Sequence, residues 1–170
     1  SHIAKNYDNL GQHKEAQIYW QKTLDAFSDN YSDHAPKITD YQIGFAESYL
    51  LVNENLQAEA LGRDALEIIE QTYGETHYFV ADALDVIAKA KSQNGDYEAA
   101  DKIFRNSLQI LENVHGKNYP GLLPTIYPMV SNLIRAGRTR EAAKNFEKVL
   151  NIRINTYGEH SVYLIEPLTI

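Results

Sequence analysis

A repeat of about 42 residues runs through this chain and constrains its fold more than any other feature. It is clearest in three short segments, which read YGETH at 73–77, HGKNY at 115–119 and YGEHS at 157–161. Their glycines, at positions 74, 116 and 158, are 42 residues apart, and one further step back leads to YSDH at 31–34. A fixed period of this length is typical of a solenoid, in which small units stack because none can bury its apolar face alone.

Two series of helix-stopping residues divide each unit into two helices. The first series comprises Gly11, Asn53, Gly95 and Gly137. The second comprises Ser32, Gly74, Gly116 and Gly158. Gly, and Asn less readily, adopts the positive φ that a helix needs just beyond its last turn in order to reverse tightly. Between the stops, apolar residues recur at intervals of three and four, the period of one buried helical stripe.

The sequence therefore predicts an all-α fold, a solenoid built from antiparallel helix pairs. First helices are predicted at 3–10, 37–52, 79–93 and 121–136, and second helices at 14–28, 56–72, 97–114 and 139–156. The units are approximately 1–31, 32–73, 74–115 and 116–157, and 158–170 begins a fifth unit with a first helix from 161. Because the pattern starts and stops within a unit, we expect the chain to be a fragment of a longer protein.

A small residue recurs at one position of each second helix. Alanine occupies it in all four units, as Ala16, Ala58, Ala100 and Ala142. We expect this position to lie where the two helices of a unit come closest, because a larger side chain would push them apart. An aromatic ring follows four residues later in three units, as Trp20, Phe104 and Phe146. The second unit has Gly62 there instead, which predicts a local void or a ring supplied by a neighbour.

Two segments match a known repeat pattern, GDYEAA at 95–100 followed by Phe104, and, apart from Thr139, GRTREA at 137–142 followed by Phe146. They resemble the tetratricopeptide repeat, whose units contain a small residue in the first helix, then Gly, an aromatic residue, Ala and a second aromatic residue. The usual unit has about 34 residues. Long units with linkers such as GETH at 74–77 and GKNYP at 116–120 resemble the kinesin light chain variety. The resemblance covers essentially the whole chain and implies a right-handed superhelix that binds other proteins.

In this family the first helices line the concave face of the superhelix, so the resemblance places the partner-binding positions there. By register these positions are Lys5, Asn9, Asp40, Ile43, Glu47, Asp82, Asp85, Lys89, Ser92, Tyr127, Ser131 and Arg135. A chaperone-binding subset of the family holds a peptide's terminal carboxylate with Lys and Asn on first helices. Asp85 and Tyr127 stand here where that subset has basic residues, so the sequence disfavours such a clamp.

The acidic positions predict the chemistry of a partner. Asp40, Glu47, Asp82 and Asp85 would make the middle of the concave face negative, and Lys89 and Arg135 would make its far end positive. We therefore expect a partner with Lys or Arg opposite units two and three, and with an acidic or polar portion near unit four.

Tyr127 stands next to Pro128, the third proline after Pro120 and Pro124. A proline inside a helix removes a hydrogen bond and crowds the preceding turn. The sequence therefore predicts a kinked or late-starting helix, or alternatively a groove widened at Tyr127 and Ser131. Tyr127 itself is either an aromatic anchor for the partner or packed against the kink.

Composition excludes several classes of protein. The formal net charge of −7 argues against a general nucleic-acid binder, and the absence of cysteine rules out disulfides and thiolate metal sites. The histidines of the linkers (His34, His77, His115 and His160) lack the spacing of a metal motif, and no phosphate loop or nucleophile elbow occurs. The carboxylate pair Asp82 and Asp85 is interpreted as a solvated or peptide-contacting face. We expect no metal, no cofactor and no enzymatic activity.

The surface stripe Arg140, Lys144 and Lys148 is likewise interpreted as a solvated helix face, since Glu141 and Glu147 interleave with it. No apolar run is long enough to span a membrane and no secretory signal stands at the start, which favours a cytoplasmic location. The helices at 3–10 and 161–170 each lack a neighbour in the array, so exposed apolar residues such as Tyr163, Leu164, Ile165 and Leu168 predict self-association through the ends.

Two functions remain open at this point. The leading interpretation is a scaffold that binds an extended or helical segment of a partner protein in its concave groove. The alternative is a structural spacer within a larger signalling or enzymatic protein, with its groove filled by that protein's own chain. Repeat architecture alone does not separate them, because function resides in sites rather than folds.

Overall fold

The computed structural model of this chain describes residues 2–30 and 36–158. Within these ranges it forms eight α-helices and no strand: α1 (His2–Asn9), α2 (His13–Asn30), α3 (Pro36–Leu51), α4 (Asn55–Tyr73), α5 (Phe79–Gln93), α6 (Tyr97–His115), α7 (Leu123–Arg135) and α8 (Thr139–Tyr157). The all-α prediction is confirmed. The fifth unit expected from 161, with its apolar residues, lies outside the described residues, as do Ser32, His34 and His160.

The eight helices lie where the sequence predicts them, with ends that differ by at most two residues. The difference at α7 has a local cause. Pro120–Leu122 forms a short 3-10 turn, and α7 starts only at Leu123, two residues later than predicted. Pro128 lies inside α7. The late start that the prolines predict is therefore observed, and Pro128 is accommodated within the helix.

The turn inside every unit is closed by the same pair of backbone hydrogen bonds. After α5, Gly95 has φ +84°, and its N–H donates to the carbonyl of Ser92 over 3.1 Å while the N–H of Asp96 donates to Lys91 over 3.0 Å. These bonds satisfy carbonyls that the last turn of a helix would otherwise leave unpaired. The turns after α1, α3 and α7 repeat them, with positive φ at Gly11, Asn53 and Gly137. The predicted first series of helix stops is confirmed.

The small position of the second helices is buried in all four units. Ala16, Ala58 and Ala100 have no exposed surface and Ala142 has 4%. The expected void or neighbouring ring at Gly62 is wrong. A Cβ added to Gly62 would come within 2.9 Å of Ile87 Cγ1 and 3.3 Å of Val86 Cγ1, so aliphatic side chains of α5 already fill the space.

Each core cluster joins successive helices of the array. The largest lies among α5, α6, α7 and α8 and includes Phe104, Ile126, Met129 and Leu133. The first one joins α1, α2 and α3 around Trp20 and Phe45. The first helices also contact each other across units, since α3 touches α5 and α5 touches α7. The odd-numbered helices therefore lie side by side and can form one continuous surface.

Candidate functional site

A concave groove of about 580 Å³ runs along the odd-numbered helices. Its walls come from α1, α3, α5 and α7, with one ring from α2, and comprise Lys5, Asp8, Asn9, Trp20, Asp40, Ile43, Gly44, Glu47, Ser48, Leu50, Leu51, Lys89, Gln93 and Pro128. A smaller extension of about 110 Å³ shares Lys89, Gln93 and Pro128 and continues to Ser92, Phe104, Ser131 and Arg135. We refer to both parts together as the concave groove.

Nine of the twelve sequence-predicted positions line this groove. They are Lys5, Asn9, Asp40, Ile43, Glu47, Lys89, Ser92, Ser131 and Arg135. Ser92 contributes little accessible surface, since it is buried on α5. The remaining three predicted positions are Asp82, Asp85 and Tyr127, and the structure places each of them differently. Whether any of the twelve binds a partner stays a prediction.

Asp85 was expected at a non-packing position of the concave face, and this expectation is wrong. Its side chain is buried between α5 and α7, with 7% exposure, and Thr125 donates a hydrogen bond to Asp85 Oδ2 over 2.5 Å. Asp85 Oδ1 is buried and has no hydrogen-bond partner within the described residues. Burial raises the pKa of this carboxyl. The side chain is enclosed because Thr125, from the next unit, reaches across to it.

Tyr127 does not lie open in the groove either. Its ring is half-buried against the core cluster of α6, α7 and α8, and the guanidinium carbon of Arg153 lies 5.8 Å from the ring centroid. The Tyr127 hydroxyl is buried and has no hydrogen-bond partner among the described residues. The expectation of a groove-facing aromatic anchor is therefore not supported by its position. It is the ring of Pro128, one residue further along, that borders the groove.

Asp82 belongs to an acidic cluster with Asp40, Glu47 and Asp85. The side chain of Asp82 is exposed, although the protein around it partly buries its carboxyl group. This burial, followed by the negative charges of Asp85, Glu47 and Asp40, raises the pKa of Asp82 to about 6, against the opposing effect of Lys89. Lys89 Nζ forms an ion pair with Glu47 Oε1 over 3.4 Å. The carboxylates of this cluster therefore outnumber its cations.

Sequence reasoning missed two residues of the groove wall at the first unit, Asp8 and Trp20. Asp8 accepts hydrogen bonds from the Trp20 indole over 3.0 Å and the Ser48 hydroxyl over 2.8 Å, and its Oδ1 lies 3.2 Å from His13 Nδ1. The outer edge of the indole packs against Gly44. The available signal was Gly44 itself, since a glycine in the middle of a helical pattern often marks a close approach of another side chain.

The linkers between units carry stacked aromatic rings. His77 stacks on Tyr73 and Tyr78, and His115 stacks on Tyr119. No group of three or more metal-ligating side chains occurs in residues 2–30 and 36–158. These histidines therefore serve as aromatic linker residues in the described part of the chain.

The predicted basic stripe on α8 is partly neutralised, because Lys148 contacts Glu112 of α6 and Arg140 and Lys144 are exposed. In the described part of the chain, no helix combines the length and apolar character that crossing a membrane requires.

The fold and groove define a class of protein, an α-solenoid of helix pairs whose first helices share one concave surface. A family model described as tetratricopeptide repeat matches residues 41–113 and, overlapping them, residues 80–155. The chain belongs to the tetratricopeptide repeat family, and the predicted right-handed α-solenoid is confirmed. Repeats of this family are in general protein-interaction scaffolds and are typically non-enzymatic. A comparison with curated protein sequences gave no match.

Solved structures agree with this assignment. The fold is similar to that of BtubC (BKLC) from P. vanneervenii, with a TM-score of 0.78 and 20% sequence identity over 94% of this chain and 63% of that chain. This chain thus spans less than two thirds of BtubC. The fold also resembles nearly identical TPR-like repeats of a Podosopora anserina protein assigned as a kinesin light chain. The TM-score is 0.73 for its Q17M form, with 19% identity over 91% of this chain and 73% of that one. The TM-score is 0.70 for the other crystal structure of that protein, with 19% identity over 94% of this chain and 74% of that one.

Proposed function

We propose that this chain is a protein-interaction module that binds a segment of a partner protein in its concave groove. The observation that supports the proposal most directly is the composition of the groove wall. It combines apolar surface at Ile43, Leu51 and Pro128 with exposed polar side chains such as Asn9 and Gln93. Apolar surface with a few convergent polar groups is typical of a binding site.

The charge of the groove supports a partner with positive side chains over units two and three. Asp40 and Glu47 line the groove there, Asp82 lies beside them, and Lys89 neutralises only part of their charge. Arg135 at the far end is exposed and favours an acidic or polar portion of the partner near unit four. Complementary charge mainly sets the association rate and the specificity, so added salt should weaken binding.

The test is a pull-down from an extract of the source organism with a groove-blocking variant. Gln93 is exposed and borders both parts of the groove, and Asn9 is exposed at its other end. Gln93→Trp combined with Asn9→Trp should therefore prevent retention of a partner that the unmodified chain retains. The matched control is Gln71→Trp combined with Asn106→Trp, at exposed positions of the second helices α4 and α6.

Each result of the pull-down has a distinct meaning. A partner that is retained by the blocked variant as well as by the control would contradict binding in the groove. No retained partner for the unmodified chain would favour the alternative function, a structural spacer in a larger protein. The proposal is supported only if the blocked variant alone loses the partner.

A further inference from the structure

We propose that Asp40 and Asp82 together form a clamp for one Lys or Arg side chain of the bound segment, with an apolar side chain beside it lying over Ile43. The inference rests on the proposed function, because it names the chemistry of the segment that the concave groove takes. It identifies one pair of carboxylates, from two successive units, as the determinant of specificity.

The register of the repeat brings the two carboxylates onto neighbouring helices. Asp40 on α3 and Asp82 on α5 are 42 residues apart and so occupy the same position in successive units. Glu47 and Lys89 are also equivalent, and they lie about two helical turns further along the same two helices. Their side chains meet over 3.4 Å, which shows that equivalent positions of the adjacent helices α3 and α5 come within reach of each other on the groove surface. A cation between Asp40 and Asp82 would complete the same arrangement.

In the described part of the chain, no cation pairs directly with either carboxylate. Neither Asp40 nor Asp82 forms an ion pair or a side-chain hydrogen bond within residues 2–30 and 36–158. Lys89 acts on Asp82 from a distance but is held by Glu47. Burial is the main cause that raises the pKa of Asp82, and repulsion from the neighbouring carboxylates, Asp40 among them, raises it further. A ligand cation would relieve this repulsion, and charge-assisted hydrogen bonds of this kind are among the stronger ones in proteins.

A buried carboxylate behind the clamp adds to its negative potential. Asp85 follows Asp82 by one helical turn, is 7% exposed, and keeps one oxygen without a hydrogen-bond partner among the described residues. Its negative charge is, after burial, the next cause that raises the pKa of Asp82. Next to Asp40, the half-buried Ile43 borders the groove, and the exposed Leu51 continues its apolar wall. The site thus offers two exposed acids beside apolar surface, which fits a basic residue with an apolar neighbour.

The test uses random peptides displayed on phage and selected on the purified chain. An enriched peptide is synthesised with a fluorophore, and a second version has Gln in place of its Lys or Arg. We expect enriched sequences that contain Lys or Arg next to an apolar residue. Binding should also change the fluorescence of Trp20, the single tryptophan of the chain, because its ring borders the groove.

Asp40→Asn combined with Asp82→Asn should weaken binding of the basic peptide by about tenfold or more. It should leave binding of the Gln version nearly unchanged. The matched control is Asp64→Asn combined with Glu75→Gln, two exposed acids outside the groove. Asp40→Lys combined with Asp82→Lys should reverse the preference in favour of a peptide with Glu at the same place, which a purely structural role of these residues would not produce.

Several outcomes would overturn the clamp. Enriched sequences without Lys or Arg, or binding that Asp40→Asn with Asp82→Asn does not weaken, would refute it. If the clamp is refuted but Gln93→Trp still abolishes peptide binding, the proposed function stands. If Gln93→Trp does not affect binding, binding in the groove is refuted as well. Self-association of the unmodified chain that Asp40→Asn with Asp82→Asn abolishes would assign the clamp to a second copy of this chain instead of a partner.

Discussion

At the scale of single residues, Gly44 shows how one missing side chain shapes the groove. A Cβ at this position would lie 2.5 Å from Trp20 Cη2 and 2.9 Å from Trp20 Cζ2, closer than carbon atoms can approach. The indole cannot easily move away, because it is buried and its N–H is bound to Asp8. The absence of a side chain on α3 thus lets an aromatic ring of the first unit form the floor of the groove in the second.

Gly44→Ala should therefore destabilise the fold, by about 1–3 kcal/mol from overpacking, even though Ala favours helix over Gly by about 1 kcal/mol. Urea unfolding followed by circular dichroism measures the effect, because this signal does not depend on Trp20, the single tryptophan of the chain. The control is the same substitution in a Trp20→Phe background, where the outer indole carbons are gone and the cost of Gly44→Ala should shrink. An equal cost in both backgrounds would show that the contact with Trp20 is not its cause.

The acidic cluster predicts a particular dependence of stability on pH. The folded state raises the pKa of Asp82 from 3.8 to about 6, so between these values the folded state binds more protons than the unfolded state. Ionisation of Asp82 therefore lowers the free energy of unfolding as pH rises across this window. Asp82→Asn should raise the melting temperature at pH 7, and this gain should disappear towards pH 4.

The control for this prediction is Asp64→Asn, an exposed acid of α4 outside the cluster. Thermal unfolding followed by circular dichroism at both pH values measures both variants. The raised pKa of Asp82 would be contradicted if Asp82→Asn increased the melting temperature as much at pH 4 as at pH 7. It would also be contradicted if Asp64→Asn gave the same increase.

Asp85 and Tyr127 mark the limit of what the sequence could predict about the site. The register correctly placed most of the groove-lining positions, because helical periodicity tells which side of a first helix points away from its own unit. It could not reveal that Thr125 of the next unit encloses Asp85, or that Tyr127 turns towards Arg153 of α8. The first contact is made between units and the second between the two helices of one unit. In both cases the partners are distant along the chain, so helical periodicity does not reveal them.

At the scale of helices, the alanine position of α6 tests the packing of a unit. Ala100 is fully buried within the core cluster that joins α5, α6, α7 and α8. Ala100→Leu should overpack it and cost about 1–3 kcal/mol of unfolding free energy. Urea denaturation measures this loss, and the exposed Ala143 of α8 provides the control. Ala143→Leu should change stability by no more than about 0.5 kcal/mol, and an equal effect of both substitutions would contradict the predicted role of the position.

Helix positions were the best-predicted feature because each boundary has a local cause. Pro36 at the start of α3 needs no hydrogen bond for its nitrogen, and Gly95 and Gly137 provide the positive φ that ends α5 and α7. Such signals are contained in a few consecutive residues. The filling of the space at Gly62 by Ile87 was mispredicted for the opposite reason, since the two residues belong to different units.

At the scale of the whole molecule, the apolar surface of the first helix pair predicts self-association. Ile3, Leu10 and Ile18 are all more than half exposed. Apolar surfaces of this kind tend to associate with one another. Sedimentation should therefore show a weight that rises with concentration, and Ile3→Lys combined with Ile18→Lys should abolish the rise. A constant monomer weight for the unmodified chain at high concentration would contradict this prediction.

The direct contact between α3 and α5 fixes the distance between equivalent side chains that a bound peptide would span. Helices in contact are about 8–10 Å apart, and an extended peptide advances about 3.3 Å per residue. A segment crossing the first helices would therefore present every third residue to equivalent positions of successive units. Each 42-residue unit of this chain would then correspond to three residues of the bound segment. The specificity would therefore depend on the spacing of the segment's side chains as much as on their identity.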